Sequence, residues 1–416
     1  MPPSTQPPTP NSHPQLCQFI HQQIKRSQLQ RITFAQYMDW VLYHPEWGYY
    51  STAQPKIGTA GDFFTAPHLG RDFGELLAEQ LAQMWEILGQ PQPFTLVEMG
   101  AGQGILAADI LRHFHQQYPQ IWPHLNYIII ERSPLFQVEQ AQTLKSWCDR
   151  GGSIQWRQCH EIDQNSITGC YFSNELVDAF PVHQIRFRNG QLQEVYVTTN
   201  PDVPPGRPSE PQFQEVIGEP STPKLAEYFL FLGIELNCDR YPDPYRTEVN
   251  LASLDWITEI ARTLHRGFIL TVDYGYSSEK YYSPMRSEGT LQCYFQHRYH
   301  NNPYIHVGYQ DLTTHVNFTA LENQGQLWGL ETVGLTQQGL FLMALGLGQR
   351  LSALTQTEGL SLGEVLRRRE ALHSLINPMG LGNFRVLIQS KGLESQQPIQ
   401  LKGLRGAETQ DLGPLT

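Results

Sequence analysis

The sequence predicts an α/β protein of the doubly wound, Rossmann-like class, with a mostly parallel sheet and helices on both of its faces. Three observations support this prediction. From residue 95 onward, short apolar segments alternate with segments of helical periodicity. Residues 127–130 are continuously apolar, which is typical of a parallel strand covered on both faces. The segment at 95–99 runs into a glycine-rich sequence at 100–104, and a helical pattern follows at once.

The chain before this alternation predicts an extension of helices and loops at residues 16–93. Thr33 is a suitable N-cap for its second helix, and the residue before Pro45 ends that helix because it avoids the helical region. Residues 1–15 are polar and rich in proline, so they predict a disordered leader. The helices of the extension are expected at 16–26, 34–43 and 72–89.

The first half of the sheet domain is predicted at residues 94–181. An insertion follows at 182–249, where Asn189-Gly190 lies between two alternating segments and is a strong signal for a two-residue hairpin turn. A proline-rich segment at 201–223 closes this insertion. The expected elements of both parts are strands at 95–99, 127–131, 154–156, 170–173, 183–188 and 191–197 and helices at 105–118, 134–147 and 224–233.

The second half of the sheet domain is predicted at residues 250–390. Within it, residues 274–318 are irregular and rich in Tyr and His, and we expect them to form loops around a substrate pocket. Residues 391–416 predict a loose tail. The expected elements are strands at 268–273, near 331–333 and at 384–389 and helices at 251–265, 319–328, 339–351 and 362–375.

Composition excludes several classes of function. The 416 residues contain 29 Lys and Arg against 40 Asp and Glu, a net charge of −11, which argues against nucleic acid as a partner but not against a cationic protein. No apolar segment reaches the roughly 18 residues of a membrane span, so no membrane insertion is expected. Six cysteines without a CxxC pair indicate a reducing compartment, and no signal or transit pattern is seen, so we expect a cytoplasmic protein of bacterial type.

The glycine-rich sequence predicts a cofactor site at the carboxyl edge of the sheet. A dinucleotide fingerprint would need a small residue where this chain has Ile105, and Glu131 lies too late for a nicotinamide ribose. The pattern instead fits S-adenosylmethionine (SAM) in a class I methyltransferase, with Glu131 accepting the ribose hydroxyls. A tight turn without a ligand is the alternative. The expected cofactor-binding residues are Glu98, Gly100, Gly102, Gly104 and Glu131.

An acidic loop, residues 173–181, follows the fourth strand of the sheet and should lie beside the same cleft. Asn174, Glu175 and Asp178 are the predicted catalytic residues, since two carboxylates and an amide there could hold a guanidinium acceptor and orient one nitrogen for methyl transfer. The alternative is purely structural: Asn174 caps a helix and the acids favour its dipole.

The remaining candidates line the expected substrate pocket. The histidines between 297 and 315 fit no metal-ligand template, so no metal is expected and hydrogen bonding by neutral rings is favoured. His113 and His115 lie on different faces of a predicted helix and are expected to be solvated. The predicted pocket residues are Asp62, Phe63, Asp273, Tyr274 and His315.

Several separated motifs resemble the MidA-like methyltransferases, whose mitochondrial members are complex I assembly factors that methylate arginine on a protein subunit. The resemblance covers about residues 34–390 and is specific as a set, whereas the glycine loop alone would not be. The motifs are Tyr37-Met38, Pro45-x-x-Gly48-Tyr49-Tyr50, Gly58-x-x-Gly61-Asp62-Phe63-x-Thr65-x-Pro67, Phe73-Gly74-Glu75, Glu98-x-Gly100-x-Gly102-x-Gly104, Asn174-Glu175-x-x-Asp178-Ala179-x-Pro181-Val182, Asp273-Tyr274-Gly275, Asp311-Leu312-Thr313-x-His315-Val316-x-Phe318 and Gly380-x-x-x-Phe384-x-Val386-Leu387.

The resemblance implies a class I SAM fold and, in at least some members, an arginine acceptor on a protein such as a complex I-type subunit. Asp62 and Phe63 would then close over the acceptor. One position departs from the family, which often has an acid where this chain has His68. The leading hypothesis is therefore SAM-dependent methylation of a protein arginine, with the oligomeric state left open.

Two alternatives stay beside this hypothesis. The acceptor could be a small molecule, which labelling of a lysate with a radioactive methyl donor would distinguish from a protein. The chain could also be a non-catalytic assembly factor that uses the same fold as a binding surface. A variant that binds no cofactor and still supports assembly would favour that reading.

Overall fold

The computed structural model describes residues 12–52, 65–201, 212–237, 239–296, 298–354, 361–393 and 398–406. The chain divides into two compact units. The first unit comprises residues 1–63, 179–252 and 282–314, and the second comprises residues 64–178, 253–281 and 315–416.

The described residues form twelve α-helices and seventeen strands. The helices are α1 (Pro14–Arg26), α2 (Phe34–Tyr43), α3 (Asp72–Ile87), α4 (Ile105–Gln117), α5 (Pro134–Asp149), α6 (Lys224–Phe231), α7 (Leu251–Thr263), α8 (Ser278–Tyr281), α9 (Phe318–Leu327), α10 (Gln338–Ala344), α11 (Leu347–Ala353) and α12 (Leu362–Ile376). The strands are β1 (Ile32–Thr33), β2 (Phe94–Met99), β3 (Leu125–Ile130), β4 (Ser153–Trp156), β5 (Ile167–Asn174), β6 (His183–Arg188), β7 (Gln191–Thr199), β8 (Phe213–Gly218), β9 (Tyr245–Val249), β10 (Leu264–Asp273), β11 (Gly275–Tyr276), β12 (Gln292–Phe295), β13 (Arg298–His300), β14 (Asp311–Thr313), β15 (Val316–Asn317), β16 (Glu331–Gln337) and β17 (Arg385–Lys391).

The second unit is built on a seven-stranded sheet in the order β16-β17-β10-β5-β2-β3-β4. Strands β4, β3, β2, β5 and β10 are mutually parallel, while β17 is antiparallel to both β10 and β16. All six residues of β2 are buried, as expected of a central strand covered on both faces. The predicted α/β fold with a mostly parallel sheet is confirmed.

The core of the second unit explains why these segments pack as they do. Leu96 of β2 and Phe172 of β5 are buried with Leu77 of α3 and Ile110 of α4 in one apolar cluster. Leu77 and Ile110 belong to apolar stripes at helical spacing on their own helices. This buried core fixes the parallel strands, and so fixes the positions at which the loops after their carboxyl ends begin.

The first unit contains a separate sheet in the order β1-β7-β6-β9, with β8 also paired to β7. The predicted hairpin is confirmed: β6 and β7 pair antiparallel around Asn189 and Gly190, whose φ values of 49° and 77° are those of a two-residue turn of the mirror-image type. Helices α1 and α2 bury Ile20, Phe34 and Tyr37 in this unit's core.

Some of the structure lies where the sequence predicts no regular element. Strand β8 falls inside the segment expected to be proline-rich, β9 lies in the insertion where no element is predicted, and β11 to β15 fall in the stretch 274–318 that is expected to be irregular. These strands are two to six residues long and do not alternate clearly, so hydrophobic periodicity gives little signal for them. The helix expected at 339–351 is two helices, because Gly346 adopts φ 109° between α10 and α11.

Both chain ends are better packed than predicted where the structure describes them. Residues 12–15 were expected in a disordered leader, yet Ser12 is buried and accepts a hydrogen bond from Val307 N, and α1 begins at Pro14. The tail was expected to be loose, yet Leu401 is buried and Gly403 N donates to Gln80 Oε1 over 2.8 Å. The predictions of a leader and of a loose tail are wrong for these residues.

The prediction for one histidine of α4 is also wrong. His113 is only 7% exposed, and its Nε2 lies 2.7 Å from Glu79 Oε1 on α3. It is a buried histidine satisfied by a carboxylate, not a solvated side chain. Among the residues that the structure describes, no helix is long and apolar enough to cross a membrane, and no group of three or more His, Cys, Asp or Glu side chains could hold a metal ion.

An ionic network fastens the beginning of α3. Arg368 of α12 binds the Asp72 carboxylate through Nε at 2.8 Å and Nη2 at 2.7 Å, and Arg350 of α11 donates to Asp72 Oδ1 at 2.9 Å. Arg350 also contacts Glu75. Burial alone would raise the pKa of Asp72, but the hydrogen bonds and charges of these two arginines lower it overall. The network therefore ties α11 and α12 to the first turn of α3.

Replacing Asp72 with asparagine is expected to destabilise the protein, because the anion shared by the two arginines is removed. Losing one partner of a buried pair costs about 3–5 kcal/mol, and since these arginines are partly exposed we expect roughly 2 kcal/mol at pH 7. Because the folded-state pKa lies below the ordinary value of about 3.9, this contribution is present above that pH and is lost as the pH falls through the lower folded value.

Urea unfolding of the wild type and of Asp72→Asn at pH 7 and at pH 3 measures both effects. Asp149→Asn is the matched control, since Asp149 pairs with Lys145 on the exposed side of α5 and should contribute almost nothing. Equal stability of the two variants at pH 7 would contradict the role given to Asp72.

Candidate functional site

The carboxyl ends of four parallel strands bring the candidate residues of the second unit to one edge of the sheet. Met99, the last residue of β2, is in register with Ile130 of β3 on one side and with Ser173 of β5 on the other. Val272 of β10 is in register with Asn174 of β5. The glycine loop, Glu131, the acidic loop and Asp273 therefore follow neighbouring strands at the same edge, as the sequence predicts.

The glycine loop adopts a conformation that only glycine takes without strain. Gly100, Gly102 and Gly104 have φ values of 70°, 52° and 76°, in the left-handed region. A side chain at position 100 would also bring its Cβ within 2.7 Å of Leu176 Cδ1 in the acidic loop. Gly104 is the N-cap of α4, so the loop delivers the amino end of that helix to the sheet edge.

Glu131 lies directly after β3, and its carboxylate is held in a fixed position. Its Oε1 accepts from Ser133 N at 2.9 Å, and its Oε2 accepts from Gln140 Nε2 at 3.1 Å. Burial raises the pKa of Glu131, while these hydrogen bonds act against that shift. The carboxylate is therefore oriented by the start of α5 and by the side chain of Gln140.

Sequence reasoning missed Gln140. This residue of α5 is fully buried, and its Nε2 also donates to Gly102 O at 2.8 Å, while its Oε1 accepts from Trp156 Nε1 at 2.9 Å. It thereby joins the glycine loop to the Glu131 carboxylate. A glutamine ten residues beyond the end of β3 matches no motif, and only the packing of α5 against the loop identifies it.

Glu98 is at the same edge but faces a different partner. It is 3% exposed, and its Oε2 accepts from Tyr127 OH at 2.6 Å. Burial raises the pKa of Glu98 to about 7, with a further contribution from the charge of Glu131. The structure thus places the Glu98 carboxylate in contact with Tyr127 of β3, and its predicted role in cofactor binding stays a prediction.

The acidic loop holds Glu175 in an unusual backbone conformation. Its φ is 52°, which a residue with a side chain rarely adopts. The Glu175 Oε1 accepts from Asn174 Nδ2 at 3.1 Å and from Ala66 N at 3.4 Å. Removal from water, followed by the charge of Asp178, raises the pKa of Glu175 to about 8. Within the part of the chain that the structure describes, no Lys, Arg or His pairs with this carboxylate.

Asp273 holds the acidic loop through its backbone. It is fully buried at the end of β10, and its Oδ2 accepts from three consecutive amides, Leu176 N at 3.2 Å, Val177 N at 2.9 Å and Asp178 N at 3.3 Å. Its Oδ1 accepts from Tyr274 N at 2.9 Å. Burial, then Asp178 and Glu175, raise the pKa of Asp273, and the backbone hydrogen bonds oppose this. Asp273 was predicted to line the pocket, and the structure instead shows its carboxylate facing the loop amides.

Aromatic rings stand beside these carboxylates. Tyr274 OH donates to Asp178 Oδ2 at 2.8 Å, and the Tyr274 ring meets the His315 ring edge-on with centroids 5.1 Å apart. His315 also stacks on Tyr276 at 4.9 Å and an interplanar angle of 9°. The structure therefore brings Tyr274 and His315 together with the acidic loop. Asp62 and Phe63, the other predicted pocket residues, lie outside the described residues.

The family comparison agrees with this geometry. Residues 76–336 match the model of a family described as S-adenosyl-L-methionine-dependent methyltransferases, which covers more than half of the chain. The chain belongs to this family. Its class I fold and its SAM cofactor are thereby established, and the prediction that the glycine loop binds SAM and not a dinucleotide is confirmed.

Curated relatives extend over most of the chain. It is 27% identical over 390 residues to the mitochondrial protein arginine methyltransferase NDUFAF7 homolog of Drosophila melanogaster, covering 87% of this chain and 82% of that protein. It is 28% identical over 390 residues to the mitochondrial protein arginine methyltransferase NDUFAF7 of Homo sapiens, covering 87% and 81%. The resemblance to this methyltransferase family drawn from the motifs is confirmed.

Among solved structures, a protein from Burkholderia thailandensis crystallised with S-adenosyl-homocysteine has a TM-score of 0.80 to this chain. The two are 27% identical, and the match covers 94% of each chain. A native crystal structure of a protein from the same organism gives a TM-score of 0.77 at 25% identity, again over 94% of both chains. The likeness spans both units and includes a structure with the demethylated cofactor bound.

Replacing Asp273 with asparagine is expected to loosen the acidic loop, because one of the two oxygens becomes an amide that cannot accept a hydrogen bond. Leaving buried amide donors unpaired costs about 1–3 kcal/mol each before relaxation, so we expect a total loss of about 3 kcal/mol in the free energy of unfolding. Hydrogen exchange at the amides of residues 176–178 should accelerate more than exchange in β10 itself.

Asp255→Asn on the exposed side of α7 is the control for this substitution. If Asp273→Asn leaves the three loop amides as protected as in the control, the carboxylate does not anchor the loop.

Proposed function

We propose that the chain transfers a methyl group from SAM to a guanidinium nitrogen of an arginine in a protein. The observation that carries this proposal is the Glu175 carboxylate, which has a raised pKa, neighbouring carboxylates and, in the described ranges, no cationic partner. A site that concentrates negative charge in this way is stabilised when a cation enters it. An arginine side chain keeps its charge at every physiological pH and is such a cation.

The described residues fit SAM at the glycine loop. The loop leads into the amino end of α4 through three glycines, and the Glu131 carboxylate lies directly after the next strand, where it would accept the ribose hydroxyls. Gln140 would fix the position of Glu131 relative to the glycine loop, since its side chain donates hydrogen bonds to both. Bound SAM supplies a methyl group on a positively charged sulfur that a nitrogen can attack in line.

The Glu175 carboxylate is placed to hold the acceptor. Its Oε1 is occupied by the Ala66 amide and the Asn174 side chain, whereas no described residue hydrogen-bonds its Oε2. This oxygen is therefore the one that would receive a guanidinium N–H. A carboxylate and a guanidinium form strong, directional hydrogen bonds, so Glu175 would orient the nitrogen and then accept the proton that it loses on methylation.

Asp178 and Tyr274 complete the proposed acceptor site. The Tyr274 hydroxyl bonds to Asp178 Oδ2, which fixes the second carboxylate relative to the aromatic wall. A guanidinium packs favourably on an aromatic face, so this wall suits the flat group that two carboxylates would hold. The names of the fly and human relatives, which are protein arginine methyltransferases, point to the same acceptor. A respiratory complex I-type subunit, implied by the motif resemblance, is the first partner to test.

Replacing Glu131 with glutamine is expected to weaken S-adenosyl-homocysteine binding by about 10- to 100-fold, because a charge-assisted hydrogen bond of about 1.5–3 kcal/mol is lost. Calorimetric titration measures this effect directly and needs no acceptor. Glu139→Gln on the same helix as Gln140 is the control. Unchanged affinity in Glu131→Gln would remove Glu131 from the cofactor site.

Replacing Glu175 with glutamine is expected to leave S-adenosyl-homocysteine affinity within about twofold and to lower methyl transfer to an arginine peptide by at least 100-fold, since proton transfer and orientation contribute about 10²–10⁴-fold. In the wild type, we expect ionisation of Glu175 to make kcat/KM rise by up to about tenfold per pH unit below pH 8 and level off above it, because the ionised carboxylate is the form that accepts the proton. This rise should be absent in Glu175→Gln.

Mass spectrometry of proteins that gain methyl groups in the presence of the chain and SAM tests the acceptor. Arginine methylation of a protein that is lost with Glu175→Gln supports the proposal, and Asp163→Asn serves as the control. Methyl transfer only to small molecules would contradict a protein arginine as the acceptor. Full activity of Glu175→Gln would show that Glu175 has only a structural role in the loop.

A further inference from the structure

We propose that His68 is a positioning residue: through it, cofactor binding at the glycine loop fixes the orientation of the Glu175 carboxylate that binds the acceptor. This inference rests on the proposed function, because it takes the glycine loop as the cofactor site and Glu175 as the acceptor residue. Nothing in the sequence motifs or in the family assignment gives His68 a role.

One short turn touches both halves of the site. Residues Ala66–Leu69 form a single 3₁₀ turn that is separated from the start of α3 by two residues. At its beginning, Ala66 N donates to Glu175 Oε1 at 3.4 Å. At its other end, His68 Nε2 lies 3.0 Å from the side-chain oxygen of Gln103, which is part of the glycine loop. The three residues from Ala66 to His68 in this turn therefore connect the two loops directly.

The hydrogen bonds define the state of the His68 ring. The Gln103 oxygen can only accept, so His68 Nε2 carries the hydrogen in this contact. His68 Nδ1 then accepts from Thr65 Oγ1, which is 2.7 Å away. Burial lowers the pKa of His68, which agrees with a neutral ring at pH 7. The Thr65 hydroxyl is thus used to fix the ring and does not cap the turn.

The glycine loop is consequently held from two sides. Gln140 bonds to Gly102 O from α5, and His68 bonds to the adjacent Gln103 from the turn before α3. A cofactor that orders the glycine loop would also order Gln103, the His68 ring and the Ala66 amide. Since that amide donates to Glu175, an ordered loop stabilises the Glu175 orientation that the acceptor needs. Cofactor and acceptor then raise each other's affinity by the same factor.

Hydrogen exchange at the Ala66 amide tests the link without any acceptor. In the wild type, S-adenosyl-homocysteine should slow exchange of this amide at least fivefold. His68→Gln keeps an N–H near the position of Nε2 and should preserve the effect, whereas His68→Asn keeps a group only near Nδ1 and should abolish it. A wild-type amide that does not respond to the cofactor, or an asparagine variant that responds like the wild type, would overturn the inference.

Calorimetric titration of a peptide containing one arginine, with and without S-adenosyl-homocysteine, measures the coupling itself. We expect the peptide to bind about fivefold or more tightly to the cofactor complex in the wild type and in His68→Gln, and equally to both forms in His68→Asn. If the peptide binds neither form while the Ala66 amide still responds to cofactor, the arginine acceptor is wrong and the link stands. If the peptide binds both forms of the wild type equally, the link is wrong and the acceptor stands.

Discussion

The concentration of negative charge at one edge of the sheet is the constraint on which the rest of the site depends. Asp178 and Asp273 are buried, and Glu175 beside them has a pKa raised to about 8 by removal from water and by the charge of Asp178. Like charges in a poorly solvated place are unfavourable unless protons or a cation compensate them. This unfavourable free energy falls on the loop that follows β5, where we propose that the methyl acceptor binds.

Three devices keep this arrangement in place. Asp273 accepts hydrogen bonds from three successive amides of the acidic loop, which lets Glu175 persist at positive φ. Gln140 connects the Glu131 carboxylate to the glycine loop. The turn at 66–69 contacts both loops. Each of the three is a buried or partly buried polar contact, so the scaffold holds the site residues in place before a ligand binds, and we propose that bound cofactor orders the turn and Glu175 further.

The sequence predicts the sheet and the site edge well, because both depend on strong local patterns. The continuous apolar strands, the Asn189-Gly190 turn and the three loop glycines each have one favourable structural solution. The contacts that hold the site residues in place are not predicted by the sequence. Gln140 and His68 act across long sequence separations through neutral polar groups, which leave no periodicity to detect. His113 was misjudged for the same reason, since its partner Glu79 lies on another helix.

The central claim is that the Glu175 carboxyl group is mostly protonated at pH 7 and ionises when a cationic acceptor binds. An NMR titration of the Glu175 side-chain carboxyl carbon, with and without millimolar guanidinium in the presence of S-adenosyl-homocysteine, tests it most directly. The account predicts a pKa near 8 in the free site that falls well below 7 when guanidinium binds. An ordinary pKa near 4.5 in the free protein, or a raised pKa that guanidinium does not lower, would contradict it.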